Sequence, residues 1–150
     1  MTAPTLTFQR VAHVLQNRMG FHVEPQENRL RAQTPRGLIV SIHPHDDEAF
    51  DGIQVIAAFE KPEGIDLTQL SKITDFVNKR YPAISAFLTD DAVMLTTDIL
   101  AAGPGLVPEC DVLEAILPQH FRALDHSVDG YLESCQVVRG VEAEAEAEET

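Results

Sequence analysis

Residues 66–99 have the sequence DLTQLSKITDFVNKRYPAISAFLTDDAVMLTTDI and predict a helix followed by a β-hairpin. Asp66 and Gln69 have the spacing of a capping box, in which each side chain bonds the backbone N–H of the other residue. Apolar residues then recur at helical spacing to about Tyr81, and Pro82 ends the helix because the residue before a proline avoids helical angles. The predicted buried stripe of this helix consists of Leu70, Ile73, Phe76 and Val77.

The hairpin after this helix comprises two predicted strands, residues 84–89 and 93–99, joined across Asp90-Asp91-Ala92. Upstream, alternating apolar and polar residues predict three further strands, and Phe21 to Glu24 is a short segment that leads into the sheet. The links between the strands are short, which favours antiparallel pairing because parallel strands need a long crossover connection. The three upstream strands are predicted at residues 29–34, 38–43 and 53–60.

Helical periodicity marks both ends of the chain. Apolar residues recur at helical spacing from about Thr5 to Met19. A last helix is expected to begin near Pro108, and Pro118 within it predicts a kink or a short break. The predicted fold class is therefore α+β, in the order α-βββ-α-ββ-α, with helices packed on an antiparallel sheet.

Length and charge limit the domain organisation and the classes of partner. The chain has 150 residues, which suits one domain. We assign residues 1–136 to that domain and residues 137–150 to an acidic disordered tail, in which Glu and Ala alternate between Val141 and Thr150. The formal net charge is −13; the five glutamates among the last nine residues account for −5, which leaves −8 for the body. An acidic chain without a concentrated basic face is not expected to bind nucleic acid or an anionic membrane.

Cysteine usage and the absence of known catalytic motifs favour a non-enzymatic cytoplasmic protein. Cys110 and Cys135 are interpreted as two reduced thiols, which is typical of the cytoplasm. We expect no signal peptide, because the N-terminus has no basic start followed by an apolar run. Apolar runs are also far shorter than the about 20 residues that span a bilayer. No Gly-x-Ser-x-Gly, P-loop or Gly-x-Gly-x-x-Gly motif is present, so we expect neither catalysis nor a cofactor.

The polar loop His43-Pro44-His45-Asp46-Asp47-Glu48 is the main candidate for chemistry. Histidine and carboxylate side chains are zinc ligands, and the candidates here are His43, His45 and Asp47. The run resembles the His-Pro-Asp-Asp-Glu signature of zinc-dependent N-acetylglucosamine deacetylases, although His45 interrupts it and those enzymes have a larger fold with a parallel sheet. We interpret the loop as a hydrophilic connection and keep a metal-dependent hydrolase as the alternative function.

The second helix and the segments after it carry a resemblance to a known family. The residues concerned are Phe76–Pro82, Ala86–Leu88, Val93–Leu95, Leu106–Glu109 and Phe121–Asp125. In these segments, and in the order of elements from about Phe8 to Cys135, the chain resembles the bacterial YbjN family, whose fold is like that of type III secretion chaperones. The resemblance implies an often dimeric domain of a sensory or regulatory protein, and its chaperone-like relatives bind extended segments of other proteins. It contains no catalytic signature.

Residues and resemblance together predict a cytoplasmic, non-enzymatic protein-binding module that acts as a chaperone-like or regulatory adaptor. We expect a homodimer with an unknown protein client. The first candidate interface lies on the second helix, at Phe76, Val77 and Tyr81.

Overall fold

A computed structural model of the chain describes residues 6–44, 51–102 and 109–149. These ranges contain three helices and six strands. In chain order they are α1 (Leu6–Asn17), β1 (His22–Pro25), β2 (Leu30–Gln33), β3 (Ile39–Pro44), β4 (Asp51–Glu60), α2 (Leu67–Arg80), β5 (Ser85–Leu88), β6 (Ala92–Ala102) and α3 (Cys110–Glu149).

The strands form one antiparallel sheet in the order β1-β2-β3-β4-β6-β5. The predicted α+β class with an antiparallel sheet is therefore confirmed. Four strands rather than three precede α2, because the short segment His22–Pro25 pairs with β2 along its whole length. The long strands β4 and β6 pair from Glu60↔Ala92 to Asp51↔Ala102 and join the N-terminal meander to the second hairpin.

The core lies between one face of this sheet and the three helices. Val40, Val55 and Leu95 point from the sheet into the core and are at most 1% exposed. Burying each side chain of this size stabilises the fold by about 1.5–3 kcal/mol. The helices supply the opposing layer with Val11, Val14 and Leu15 of α1, Leu70 and Val77 of α2, and Leu113, Leu117, Leu124 and Tyr131 of α3.

The start of α2 is fixed by the predicted capping box. The Gln69 backbone N–H donates to Asp66 Oδ1 at 2.8 Å, and the Asp66 backbone N–H donates to Gln69 Oε1 at 3.3 Å. Two N–H groups that have no partner within the helix are thereby satisfied. The helix ends at Arg80, directly before the Tyr81-Pro82 pair.

Helix α3 is longer than the sequence indicates. It continues through Pro118 and past residue 136 to Glu149, where we expected a disordered tail. Arg139 Nε donates to the Glu63 carbonyl oxygen at 2.8 Å, and Val138 packs against the core. The packed domain therefore extends at least to Arg139, and the high helix propensity of Ala and Glu accounts for the helical backbone beyond it. No helix in the described ranges combines the length and the apolar character needed to cross a membrane.

Candidate partner-binding surfaces

A groove with a volume of about 640 Å³ runs between α2 and α3. Its most accessible apolar side chains face each other across the two helices: Phe76 of α2 is 54% exposed, and Val137 of α3 is 66% exposed. Lys72 and Arg80 lie on the α2 side, and Glu133 lies on the α3 side. The remaining lining residues are Gln69, Ile73, Tyr81, Gly130, Ser134 and Val138.

Helical spacing explains why these residues share one groove. The α2 members from Gln69 to Arg80 recur at intervals of three or four residues, so they form one flank of the helix. The α3 members from Gly130 to Val138 follow the same spacing. Each flank lies beside the stripe that its helix buries in the core, and the groove is therefore a direct consequence of how the two helices pack.

Tyr81 and Gly130 close one end of the groove. Tyr81 follows the last residue of α2, and its backbone N–H donates to the Val77 carbonyl oxygen at 3.0 Å. Its ring lies on α3 over Gly130, where an added Cβ would come within 2.7 Å of the Tyr81 hydroxyl oxygen. Glycine at this position therefore permits the close approach of ring and helix.

A buried polar contact holds α2 and α3 together beneath the groove. Thr74 Oγ1 donates to the Leu70 carbonyl oxygen at 2.8 Å and lies 2.9 Å from the Tyr131 hydroxyl oxygen. The Tyr131 hydroxyl also donates to the Leu70 carbonyl oxygen, at 3.4 Å. Burial raises the pKa of Tyr131 above its ordinary value, with a smaller opposing effect from the hydrogen bond to Thr74. The tyrosine is therefore a neutral, structural group at physiological pH.

Asn78 connects α2 to the edge strand of the sheet. Its side-chain amide donates to the Ala86 carbonyl oxygen at 2.9 Å and accepts from the Ala86 backbone N–H at 2.7 Å. These two bonds occupy the outward-facing backbone groups of β5 at that residue, which would otherwise present an unpaired strand edge. The groove wall and the sheet are thereby held in a fixed relation.

The sheet face opposite the helices, called here the open sheet face, is the second candidate surface. A cavity of about 270 Å³ on it is lined by basic, polar and apolar groups. His43 Nε2 lies 2.9 Å from Ser41 Oγ, and burial, with a smaller effect from Arg29, lowers the pKa of His43. The imidazole is therefore neutral at pH 7. The other lining residues are Arg31, Ile39, Val40, Ile56, Ala58 and Met94.

The predicted metal ligands are only partly described. His43 lies near the end of β3, whereas His45 and Asp47 fall outside the described residues. Among the residues that are described, no group of three or more His, Cys, Asp or Glu side chains is arranged to hold a metal ion.

The three predicted interface residues occupy different environments. Phe76 is exposed in the groove and Tyr81 is half-buried at its end. Val77 is fully buried in the chain's own core and is not accessible to a partner. The sequence prediction missed Val137 and Val138, because it placed them in a disordered tail; their continuation of the α3 spacing is the signal that would have found them.

Two further reactive side chains have structural roles. His120 of α3 lies against the sheet, where its Nδ1 is 2.9 Å from Thr97 Oγ1. Burial lowers the pKa of His120 and favours the neutral imidazole. Cys135 is buried, and burial raises the pKa of its thiol, which disfavours the reactive thiolate.

Comparison of the chain with protein-family models, with curated proteins and with solved structures finds no match. The resemblance to the YbjN family therefore stays a prediction from the sequence.

Proposed function

We propose that this chain is a non-enzymatic protein-binding module, a chaperone-like or regulatory adaptor of the YbjN type, and that it binds an apolar segment of a client protein in the α2–α3 groove. One observation carries the proposal: Phe76 of α2 and Val137 of α3, two large apolar side chains that are 54% and 66% exposed, line the same 640 Å³ groove. Grouped exposed apolar residues with a polar rim mark interaction sites.

The charges around the groove describe the client segment. Lys72 and Arg80 on the α2 side attract acidic side chains, and Glu133 on the α3 side attracts a basic one. A client segment with apolar residues toward the groove floor, acidic residues toward α2 and a basic residue toward α3 fits this arrangement. Apolar burial supplies the affinity, and the rim charges fix the orientation.

The proposed setting is the bacterial cytoplasm, and the proposed oligomer is a homodimer. The two cysteines are free thiols, which suits a reducing compartment. The homodimer follows from the family resemblance, and its surface is considered separately below.

Variants of the groove test the proposal. Phe76→Glu and Val137→Glu place a charge on either wall, while Val112→Glu alters an exposed valine of α3, 45% exposed, that does not line the groove. We expect affinity capture from the native cytosol to recover the same proteins with wild type and Val112→Glu, and to lose them with both groove variants. An unchanged set of captured proteins in the groove variants would contradict the proposal.

A metal assay separates this proposal from the alternative metal-dependent hydrolase. Elemental analysis of protein purified without an affinity tag is expected to show no stoichiometric zinc, and added zinc is expected to leave the melting temperature unchanged. Stoichiometric zinc that is lost on replacing His43 would favour the hydrolase.

A further inference from the structure

An apolar row crosses the open sheet face. Met94 of β6 lies directly opposite Ala58 of β4 on one side and Phe87 of β5 on the other. The row continues to Ile39 of β3. Ser41 of β3 pairs with Ile56 of β4, and moving two residues along each strand in this antiparallel register places Ile39 opposite Ala58. Ile39 and Phe87, at its two ends, are 46% and 43% exposed. Exposed apolar side chains that are grouped on one face mark interaction sites.

A polar row crosses the same face further along the strands, beyond the Ser41–Ile56 pair, and is charged at its two sides. Arg29 lies beside His43 at the β2 side, close enough to lower its pKa. On β4 and β6, Gln54 lies opposite Asp98, and Gln54 Nε2 donates to Asp98 Oδ1 at 3.3 Å. The row therefore has a cation, Arg29 directly before β2, at one side and an anion, Asp98 of β6, at the other, with β3 and β4 between them. Arg31 of β2 lies on the same face, where its guanidinium is 3.7 Å from the Glu24 carboxylate of β1.

This charge arrangement is self-complementary under one particular two-fold rotation. A two-fold axis parallel to the strands, between β3 and β4, places β2 of one copy over β6 of the other. Each row then lies opposite the same row of the other copy, because this rotation leaves the position along the strands unchanged. Arg29 of each copy then faces Asp98 of the other copy, and the two apolar rows meet. An axis perpendicular to the strands would instead place β2 over β2 and bring like charges together, which is unfavourable.

We propose that a second copy of this chain docks on the open sheet face, sheet against sheet, about a two-fold axis parallel to the strands. The interface buries Ile39, Ile56, Ala58, Met94 and Phe87 and pairs Arg29 of each copy with Asp98 of the other. The proposal rests on the homodimer within the proposed function and names its surface. It leaves the α2–α3 groove, on the helical side of the sheet, free for a client.

The size of the face suits a dimer. Strands β1, β2 and β5 span about 13 Å each, β3 about 20 Å, and β4 and β6 about 35 Å each. At a strand spacing of about 4.8 Å, the face covers on the order of 500 Å² in projection. Side-chain relief raises the accessible area toward the roughly 800 Å² per partner of a standard interface. Two antiparallel sheets packed in this way adopt the aligned geometry of a β-sandwich, with their strands within about 30° of each other.

Charge exchange tests the pairing across the two-fold axis. Arg29→Asp and Asp98→Arg each place like charges opposite each other in the dimer, whereas the double variant restores opposite charges. Sedimentation equilibrium is expected to show a dimer for wild type, a dissociation constant raised roughly tenfold or more in each single variant, and recovery in the double variant. Wild-type protein that is monomeric would overturn the proposal. A double variant whose dissociation constant is raised by the two single effects combined would also overturn it.

A second variant tests the apolar row without altering the charge pair. Ala58→Glu places a carboxylate at the centre of the face, on an exposed position of β4 where it does not disturb the core. We expect this variant to be monomeric with an unchanged melting profile at low concentration, while Val112→Glu and Phe76→Glu remain dimeric. A dimer that persists in Ala58→Glu but dissociates in Phe76→Glu would place the interface on α2 and overturn the proposal. Client capture by the same Ala58→Glu protein tests the groove separately. Failure of the dimer proposal changes the oligomeric state that is measured, whereas failure of the groove proposal changes the capture of clients.

Discussion

Gly130 of α3 lies directly beneath the ring of Tyr81, so that a Cβ on Gly130 would approach the Tyr81 hydroxyl oxygen to 2.7 Å and two ring carbons to 3.4 Å. At Gly140, on the same helix, such a Cβ would meet no described atom within 4 Å outside the adjoining residues and the helix's own backbone. These two glycines make a matched pair, because alanine gains about 1 kcal/mol of helix propensity over glycine at either position.

Alanine substitution at the two glycines is predicted to have opposite effects. Gly140→Ala should raise the free energy of unfolding by up to about 1 kcal/mol. Gly130→Ala should lower it by about 1 kcal/mol, because overpacking costs more than the propensity gain. Urea denaturation measures both. Adding Tyr81→Phe to Gly130→Ala removes the Tyr81 hydroxyl oxygen, the atom closest to the new Cβ, and should recover most of the lost free energy of unfolding. A Gly130→Ala protein that is as stable as Gly140→Ala would contradict the close approach of Tyr81 to Gly130.

The Thr74–Tyr131 contact predicts an asymmetric pair of variants. Tyr131→Phe removes a hydroxyl but leaves Thr74 bonded to the Leu70 carbonyl oxygen, so it should cost about 0.5–1.5 kcal/mol. Thr74→Val leaves the buried Tyr131 hydroxyl with only its 3.4 Å bond to Leu70 and should cost about 1–3 kcal/mol. Chemical denaturation of both variants gives the order, and the reverse order would show that Thr74 does not satisfy the tyrosine.

Asn78 is predicted to protect the edge of β5. Asn78→Ala removes two hydrogen bonds to Ala86, so we expect a loss of about 1–3 kcal/mol and faster amide hydrogen exchange at Ala86. Lys79→Ala, at the next and exposed position of α2, should change neither quantity. Unchanged exchange at Ala86 in the Asn78 variant would contradict this role.

Stability is predicted to fall as the pH is lowered below about 6.5. Burial lowers the pKa of His120 in the folded state from the ordinary value of 6.5, so the unfolded chain binds more protons in the window just below that value. The stabilising effect of the neutral imidazole is therefore fully present above pH 6.5 and is lost on acidification. His43 acts in the same direction. Thermal melts from pH 7.5 to 5.5 should show a smaller decrease for His120→Gln than for wild type; equal slopes would contradict the shift.

Local sequence signals predicted the elements that local chemistry determines. The capping box at Asp66 and Gln69 and the end of α2 before Pro82 each depend on neighbouring residues only, and the structure has both. The hairpin after α2 is also present, but its link comprises residues 89–91 rather than Asp90-Asp91-Ala92, because Ala92 already belongs to β6. The α+β class followed from the helical and the alternating spacing of apolar residues and from the short links between strands.

The remaining features depend on contacts between distant segments. His120 has Thr97 as its partner only because α3 packs on the sheet, and the two residues are distant in sequence. Val137 and Val138 precede a run of Ala and Glu whose composition suggests disorder, while packing of α3 against α2 keeps the helix ordered there. Strand β4 pairs with β6, although α2 and β5 separate the two strands in sequence. The open sheet face depends on this long-range pairing.

Site-specific cross-linking in cells tests the central claim, the binding of a client in the α2–α3 groove, most directly. A photo-activated amino acid is introduced in place of Phe76, Val137 or Val112, of which only the first two line the groove. We predict that the same client protein is cross-linked from Phe76 and Val137 and is absent at Val112. Different products at Phe76 and Val137, or equal cross-linking at Val112, would contradict it.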